Sequence, residues 1–195
     1  VTPVELVAIG ASWGGLNAVE LVLRALPRDF GAAVVITQHR KADSEDGRLT
    51  QLLSAHCKLD VCEAEDKQAL DPGTVLVAPA DYHMFVEPGS VALSLDPRVH
   101  FSRPSIDVLL SSAADAYRAR AAGVVLTGAN ADGAEGLARI ARRGGVAIVQ
   151  DPETAARREM PAAALAATPG AQVAALEQIG PLLTDLAGTR QGTRS

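Results

Sequence analysis

Three residues, far apart along the chain, carry complementary chemistry at points where apolar runs end. Ser12 stands in Gly10-Ala11-Ser12-Trp13-Gly14-Gly15, between the apolar run Leu6-Val7-Ala8-Ile9 and the amphipathic stretch Leu16 to Leu26. A serine at a glycine-flanked strand-to-helix turn is held exposed, with helix-start N–H groups beside it. That setting suits a nucleophile whose reaction develops an oxyanion. His39 closes the run Val34-Val35-Ile36-Thr37-Gln38-His39, and Asp132 follows in Leu126-Thr127-Gly128-Ala129-Asn130-Ala131-Asp132-Gly133. A hydroxyl needs a base to become nucleophilic at neutral pH, and the base needs a carboxylate to fix its tautomer. The order Ser, His, Asp differs from the Ser, Asp, His order of α/β-hydrolases, which points to a separate lineage.

Each residue also has a plainer account. Ser12 fits a cap for the helix after it, His39 a structural histidine at a strand edge, and Asp132 an N-cap for the run it precedes. A carboxylate has lone pairs enough to cap and to orient at once. The flanking Gly14 and Gly15 allow a tight turn and close approach of a substrate to the backbone. Trp13, the only tryptophan, either shapes the site or covers the sheet edge. The same glycine turn also fits the phosphate loop of a short-chain-reductase-like NAD(P)-binding protein. That class needs a Tyr-x-x-x-Lys pair, whereas Tyr82 and Tyr117 are followed four positions on by Val86 and Ala121. His39-Arg40, rather than an acidic ribose ligand, follows the second apolar run.

Composition narrows the classes. The 195 residues can bury a sizeable core, 48% of them are hydrophobic and only 3% aromatic, so that core is aliphatic and alanine-rich. The net charge of -5 and the lack of any Lys/Arg block argue against nucleic-acid binding. No apolar run reaches the ~20 residues of a membrane span, and no signal peptide is evident, so a cytoplasmic protein without membrane insertion is expected. Cys57 and Cys62 imply no disulfide framework and, like His56, His83 and His100, lack zinc spacing; no metal and no cofactor are expected. Arg40, Arg103, Arg157 and Arg158 read as solvated surface charges, Arg40 adjoining the proposed base where it could steer an anionic substrate.

The elements that must position these residues alternate along the chain. Short β-branched runs at 6–9, 32–37, 74–78, 123–127, 146–150 and 172–176 read as strands buried on both faces. Helical patterns lie at 16–26, 48–55, 106–120, 133–143, 160–167 and 178–186, the last tolerating Pro181 only near its start. Ser105 caps the third helix, and Arg142-Arg143-Gly144 stops the fourth. Met84 to Leu95, with Pro88-Gly89 at its centre, reads as a hairpin. The expected fold is α/β: a doubly wound, mainly parallel sheet flanked by helices, with a small antiparallel hairpin. Residues 1–187 are expected to form one catalytic domain and 188–195 a disordered tail.

Taken together, the segments resemble the catalytic domain of CheB-type chemotaxis-receptor protein-glutamate methylesterases. The matching stretches are Ile9-Gly10-Ala11-Ser12, Gly14-Gly15, Gln38-His39, Ala78-Pro79-Ala80-Asp81-Tyr82-His83, Arg103-Pro104-Ser105-Ile106-Asp107-Val108-Leu109, Leu126-Thr127-Gly128, Asp132-Gly133-Ala134-Glu135-Gly136-Leu137 and Gln150-Asp151-Pro152-Glu153-Thr154. The resemblance implies a serine esterase acting on γ-glutamyl methyl esters, and on glutamines, of the cytoplasmic helices of methyl-accepting chemotaxis receptors. It assigns the nucleophile to Ser12, the base to His39 and the orienting acid to Asp132, with Trp13, Gly14 and Ala129 as candidates for the oxyanion wall. Trp13 replaces a small hydroxyl residue of the family pattern, Ala129-Asn130 replaces Met-Gly, and Arg158-Glu159-Met160-Pro161 replaces Phe-Gly-Met-Pro. No phosphorylatable receiver sequence precedes the domain, so the chain is expected to be either excised from a longer protein or a stand-alone member regulated otherwise. A non-catalytic chemosensory binding protein is the remaining alternative.

Overall fold

The computed structural model describes residues 2–41 and 47–188. The strands are β1 (Leu6–Ala11), β2 (Ala33–Gln38), β3 (Asp60–Glu63), β4 (Thr74–Val77), β5 (His83–Glu87), β6 (Ser90–Ser94), β7 (Ala121–Val125), β8 (Val146–Gln150) and β9 (Gln172–Ala174). The helices are α1 (Gly15–Ala25), α2 (Arg48–Ser54), α3 (Ile106–Tyr117), α4 (Ala134–Arg142), α5 (Glu159–Ala167) and α6 (Leu176–Ala187). Seven strands form one sheet in the order β3-β4-β2-β1-β7-β8-β9, and every pairing in it is parallel. β5 and β6 pair antiparallel as the hairpin, with Gly89 at φ 83 in its turn. The expected α/β, doubly wound architecture is the one observed.

Alternation along the central strands divides the core into two layers. Val7, Ile9 and Ala11 of β1, with Val34 and Ile36 of β2, pack against Val19, Val22 and Leu23 of α1 and Ile179 and Leu183 of α6. Leu6 and Ala8, with Val35 and Val125, face Ile106, Leu109 and Leu110 of α3, Leu137 and Ile140 of α4, and Met160 of α5. Strands buried on both faces carry continuous apolar runs, which is why these segments lack a polar alternation.

Three details depart from the sequence expectations. β3 lacks an apolar run: Asp60-Val61-Cys62-Glu63 lies at the sheet edge, with Asp60 and Cys62 exposed and Val61 and Glu63 half-buried. The fourth run of the sheet starts earlier than expected, at Ala121, because the small residues there are fully buried, Ala121 in the layer with α3 and α4 and Ala122 in the layer with α1 and α6. α6 begins at Leu176, which puts Pro181 inside the helix rather than at its start; the Gln178 side chain accepts the Ala175 N–H at 3.3 Å and helps fix that earlier start. Of the tail expected to be disordered, residues 189–195 lie outside the described residues. Both cysteines are free thiols. Among the described residues no helix is long and apolar enough to cross a membrane.

The chain leaves β1 toward β2 and β4 on one side, then returns through α3 to β7 on the other. Where the direction reverses, loops at adjacent carboxyl ends splay apart and leave a crevice. Ser12 follows β1 there, and the loop carrying Asp132 follows β7. Gly10 allows α3 to approach this rim: a Cβ on it would stand 2.1 Å from Cγ2 of Ile106. The Gly10→Ala variant is therefore expected to lose roughly 1–3 kcal/mol of stability by overpacking a filled core. A denaturant midpoint equal to that of the unsubstituted chain would contradict this packing.

Candidate active site

Ser12 sits between β1 and α1, its N–H bonded to the Thr127 carbonyl (2.9 Å) and its carbonyl accepting the Gly15 N–H (2.8 Å). Gly14, with φ 76, makes the turn into α1, and no side chain caps that helix. The Ser12 hydroxyl is thus not a cap; it lies 3.1 Å from Nδ1 of His39. His39 follows β2, its N–H held by the Ala11 carbonyl at 3.0 Å. Gln38 ties the two backbones together, its Nε2 donating to the carbonyls of Ser12 (2.7 Å) and His39 (3.2 Å).

The other ring nitrogen, Nε2 of His39, lies 2.7 Å from Oδ2 of Asp132. The Asp132 side chain has no solvent exposure, against 12% for that of His39. The plainer account of Asp132, a cap for the helix that follows it, does not hold. Gly133, at φ 100, occupies that position instead. The carboxylate reaches across to the start of α3, accepting the N–H groups of Ile106 (2.8 Å) and Asp107 (2.9 Å) and the Ser105 hydroxyl (2.9 Å). It caps a helix twenty-odd residues earlier in the chain, as the α3 N-terminus offers free donors and a positive dipole end.

Burial pushes the Asp132 carboxyl up, but the His39 hydrogen bond and the Asp107 and Ile106 N–H groups outweigh it and hold it below the usual carboxylate range. Asp132 is then an acceptor only, which requires the proton on Nε2 of His39 and leaves Nδ1 free to accept the Ser12 O–H. The ring is used in the opposite sense from the serine-protease template, where Nε2 faces the serine.

The network continues away from the rim. The Ser105 N–H donates to Nδ1 of the fully buried His83 (3.2 Å), whose Nε2 donates to the Pro97 carbonyl (3.1 Å). From the sequence Ser105 reads as a helix cap and His83 as a histidine without zinc spacing; their link to Asp132 is tertiary. The signal available was the Arg-Pro-Ser-Ile-Asp stretch itself. Asp107 completes a reciprocal arrangement, its Oδ1 accepting the Gly136 N–H at 2.7 Å near the start of α4.

Candidate oxyanion donors lie on the facing loops. The N–H groups of Trp13 and Ala129 bond no other group among the described residues. Gly128 is fixed beside Ser12: its N–H donates to the Arg157 carbonyl (3.2 Å) and its carbonyl accepts the Met160 N–H (2.9 Å). A Cβ on Gly128 would stand 2.9 Å from Cβ of Ser12. Trp13 is 70% exposed and so does not cover the sheet edge, while its carbonyl accepts the Thr127 hydroxyl at 2.9 Å. Arg40 and Arg103, expected as solvated charges, are instead largely enclosed by their ion pairs with Glu63 and Asp81. Arg157 and Arg158 are exposed. Among the described residues no group of three or more His, Cys, Asp or Glu is placed to hold a metal ion.

Burial and the nearby charge of Asp132 push the Asp107 carboxyl up to about 6, against the pull of the Gly136 N–H and His100. The folded chain therefore holds this proton more tightly than the unfolded chain, so stability falls as pH rises from about 4 to about 6 and is level above. Asp107→Asn keeps an acceptor for Gly136 without the charge. Above pH 6 it is expected to be more stable than the unsubstituted chain by on the order of 1–3 kcal/mol, the gain fading below that pH. A difference in thermal or denaturant midpoint that does not vary with pH would contradict this.

The comparisons with known proteins agree with the geometry. Residues 7–183 match the family model described as CheB methylesterase. A Leptospira interrogans protein provisionally named a protein-glutamate methylesterase/protein-glutamine glutaminase is 45% identical over 183 residues, covering 93% of this chain and 94% of its own length. The protein-glutamate methylesterase FrzG of Myxococcus xanthus is 41% identical over 93% of this chain and 54% of its own length, so the chain spans about half of that relative. The crystal structure of the Thermotoga maritima CheB methylesterase catalytic domain superimposes with a TM-score of 0.86 at 30% identity, covering 95% of this chain and all of that one. Nothing in these likenesses supports the dinucleotide-binding alternative. The chain belongs to the CheB methylesterase family.

Proposed function

We propose that this chain hydrolyses γ-glutamyl methyl esters, and deamidates glutamines, on the cytoplasmic helices of methyl-accepting chemotaxis receptors, with Ser12, His39 and Asp132 as its catalytic residues. The observation that carries the reading is the unbroken run of hydrogen bonds from the Ser12 hydroxyl through both nitrogens of His39 to a buried, ionised Asp132. Supporting it are the family membership and the relatives named for these two reactions.

Nδ1 of His39 takes the Ser12 proton as Oγ attacks the ester carbonyl. Asp132, already anionic, stabilises the imidazolium without taking a proton itself. The N–H groups of Trp13 and Ala129 are the donors for the tetrahedral oxyanion, each worth about 2.7–4 kcal/mol on the scale of a protease oxyanion-hole side chain. Collapse of the intermediate breaks the carbon–oxygen bond to methanol, which leaves with the proton returned from Nδ1. Water then enters, gives its proton to Nδ1, and releases glutamate and Ser12. With glutamine the same sequence expels ammonia. Each cycle consumes one water and adds one negative charge to the receptor helix.

The test is methanol release from methylated receptor. Ser12→Ala is expected to abolish it; release at the unsubstituted rate would overturn the reading. Asp132→Asn, which removes the anion that fixes the tautomer, is expected to lower kcat by about 10⁴-fold, as in a serine protease. A loss of tenfold or less, with the fold intact, would contradict the role given to Asp132.

A further inference from the structure

The cleft adjoining His39 holds more positive charge than the hydrolysis uses. His39, Arg40, Lys41, Arg98, Phe101 and Arg103 wall a cavity of about 230 Å³. Four permanent cations converge there in a chain whose net charge is -5. Two are committed to structure. Arg103 donates to both oxygens of Asp81 (3.1 and 2.9 Å) and to the carbonyls of Leu95 (2.7 Å) and Asp96 (3.1 Å), tying down the loop before α3. Arg40 pairs with Glu63 and donates to the Ala78 carbonyl.

The other two are available. Among the described residues Arg98 reaches only Asp81, at 3.7 Å, a carboxylate already engaged in two shorter bonds from Arg103, and its side chain is 58% exposed. Lys41 is exposed and has no ion-pair partner among the described residues. Among the described residues, Asp81 and Glu63 are the carboxylates paired with these cations, so the described wall carries more cations than carboxylates in a concave setting, where field lines concentrate. Phe101, 97% exposed at φ 64, stands on the same wall as an apolar contact.

We propose that this cleft is a carboxylate subsite, with Arg98 and Lys41 as specificity-determining residues that select ester sites flanked by acidic side chains on the substrate helix. The inference rests on the esterase reading above. Residues three or four apart on a helix lie about 5–6 Å apart at Cβ, so a carboxylate one turn from the reacting ester projects alongside it. The planar fork of Arg98 suits bidentate capture of that group, and Lys41 adds a mobile point charge. A carboxylate is favoured over other anions because hydrolysis itself makes one: on any segment with more than one ester, a processed site becomes the anionic neighbour of the next.

The test uses two helical peptides, each with one γ-methyl glutamate, flanked one turn away on both sides by Glu or by Gln. At low ionic strength the unsubstituted chain is expected to favour the Glu-flanked peptide by about tenfold in kcat/KM, mainly through KM. Salt at roughly 0.5 M should shrink the preference, and Lys41→Gln with Arg98→Gln should bring it close to one. Hydrolysis of both peptides without preference, or a preference that survives the double substitution, overturns the subsite alone. Hydrolysis of neither overturns the esterase reading and this inference with it.

Discussion

The carboxylate of Asp132 accepts hydrogen bonds from His39, the Ser105 hydroxyl and the backbone N–H groups of Ile106 and Asp107, from a position sealed off from water. Left without those donors, a buried anion would be costly enough to take up a proton or draw in water. With them it stays ionised, and its placement sets the imidazole, which in turn sets the serine. The site therefore depends on where α3 begins. That start is fixed from several sides: Ile106 packs against Gly10, His83 holds the Ser105 N–H, and Asp107 reaches back to the N-terminus of α4. Asp132 caps α3 from beside α4 while Asp107 caps α4 from within α3, so neither helix can shift without moving the acid.

The reciprocal caps place two carboxyl groups close together in a dry setting, with opposite results. Asp132 gathers four donors and stays anionic; Asp107 has one backbone donor and a second oxygen with no hydrogen-bond partner, so burial prevails and its carboxyl titrates high. Stability is given up at Asp107 to hold geometry at Asp132. Natural chains often keep such strain at functional sites and offset it elsewhere, here through the two aliphatic layers that enclose the parallel sheet.

Much of the fold was legible from the apolar runs, because strands buried on both faces must be continuously hydrophobic. β3 escaped because an edge strand needs no such run, and Pro181 misled because α6 keeps it inside despite the hydrogen bond it cannot make, with Ile179 and Leu183 buried in the core on either side of it. The three reacting side chains could be picked out from residue type and position after a strand. Their neighbours could not. Nothing local distinguishes an aspartate that caps its own helix from one that caps a helix a quarter of a hundred residues earlier, and Ser105 looks like any serine before a helix. Arg40 and Arg103 were misread for the same reason: their partners, Glu63 and Asp81, lie about twenty residues away along the chain, and only the folded sheet edge brings them together.

The tautomer of His39 tests the account most directly. With isotopically labelled imidazole at neutral pH, nitrogen-detected magnetic resonance is predicted to show the proton on Nε2, in a hydrogen bond that disappears when Asp132 is replaced, and a bare Nδ1 facing Ser12. A proton on Nδ1 would leave the serine facing a donor, and would contradict the arrangement from which the chemistry has been argued.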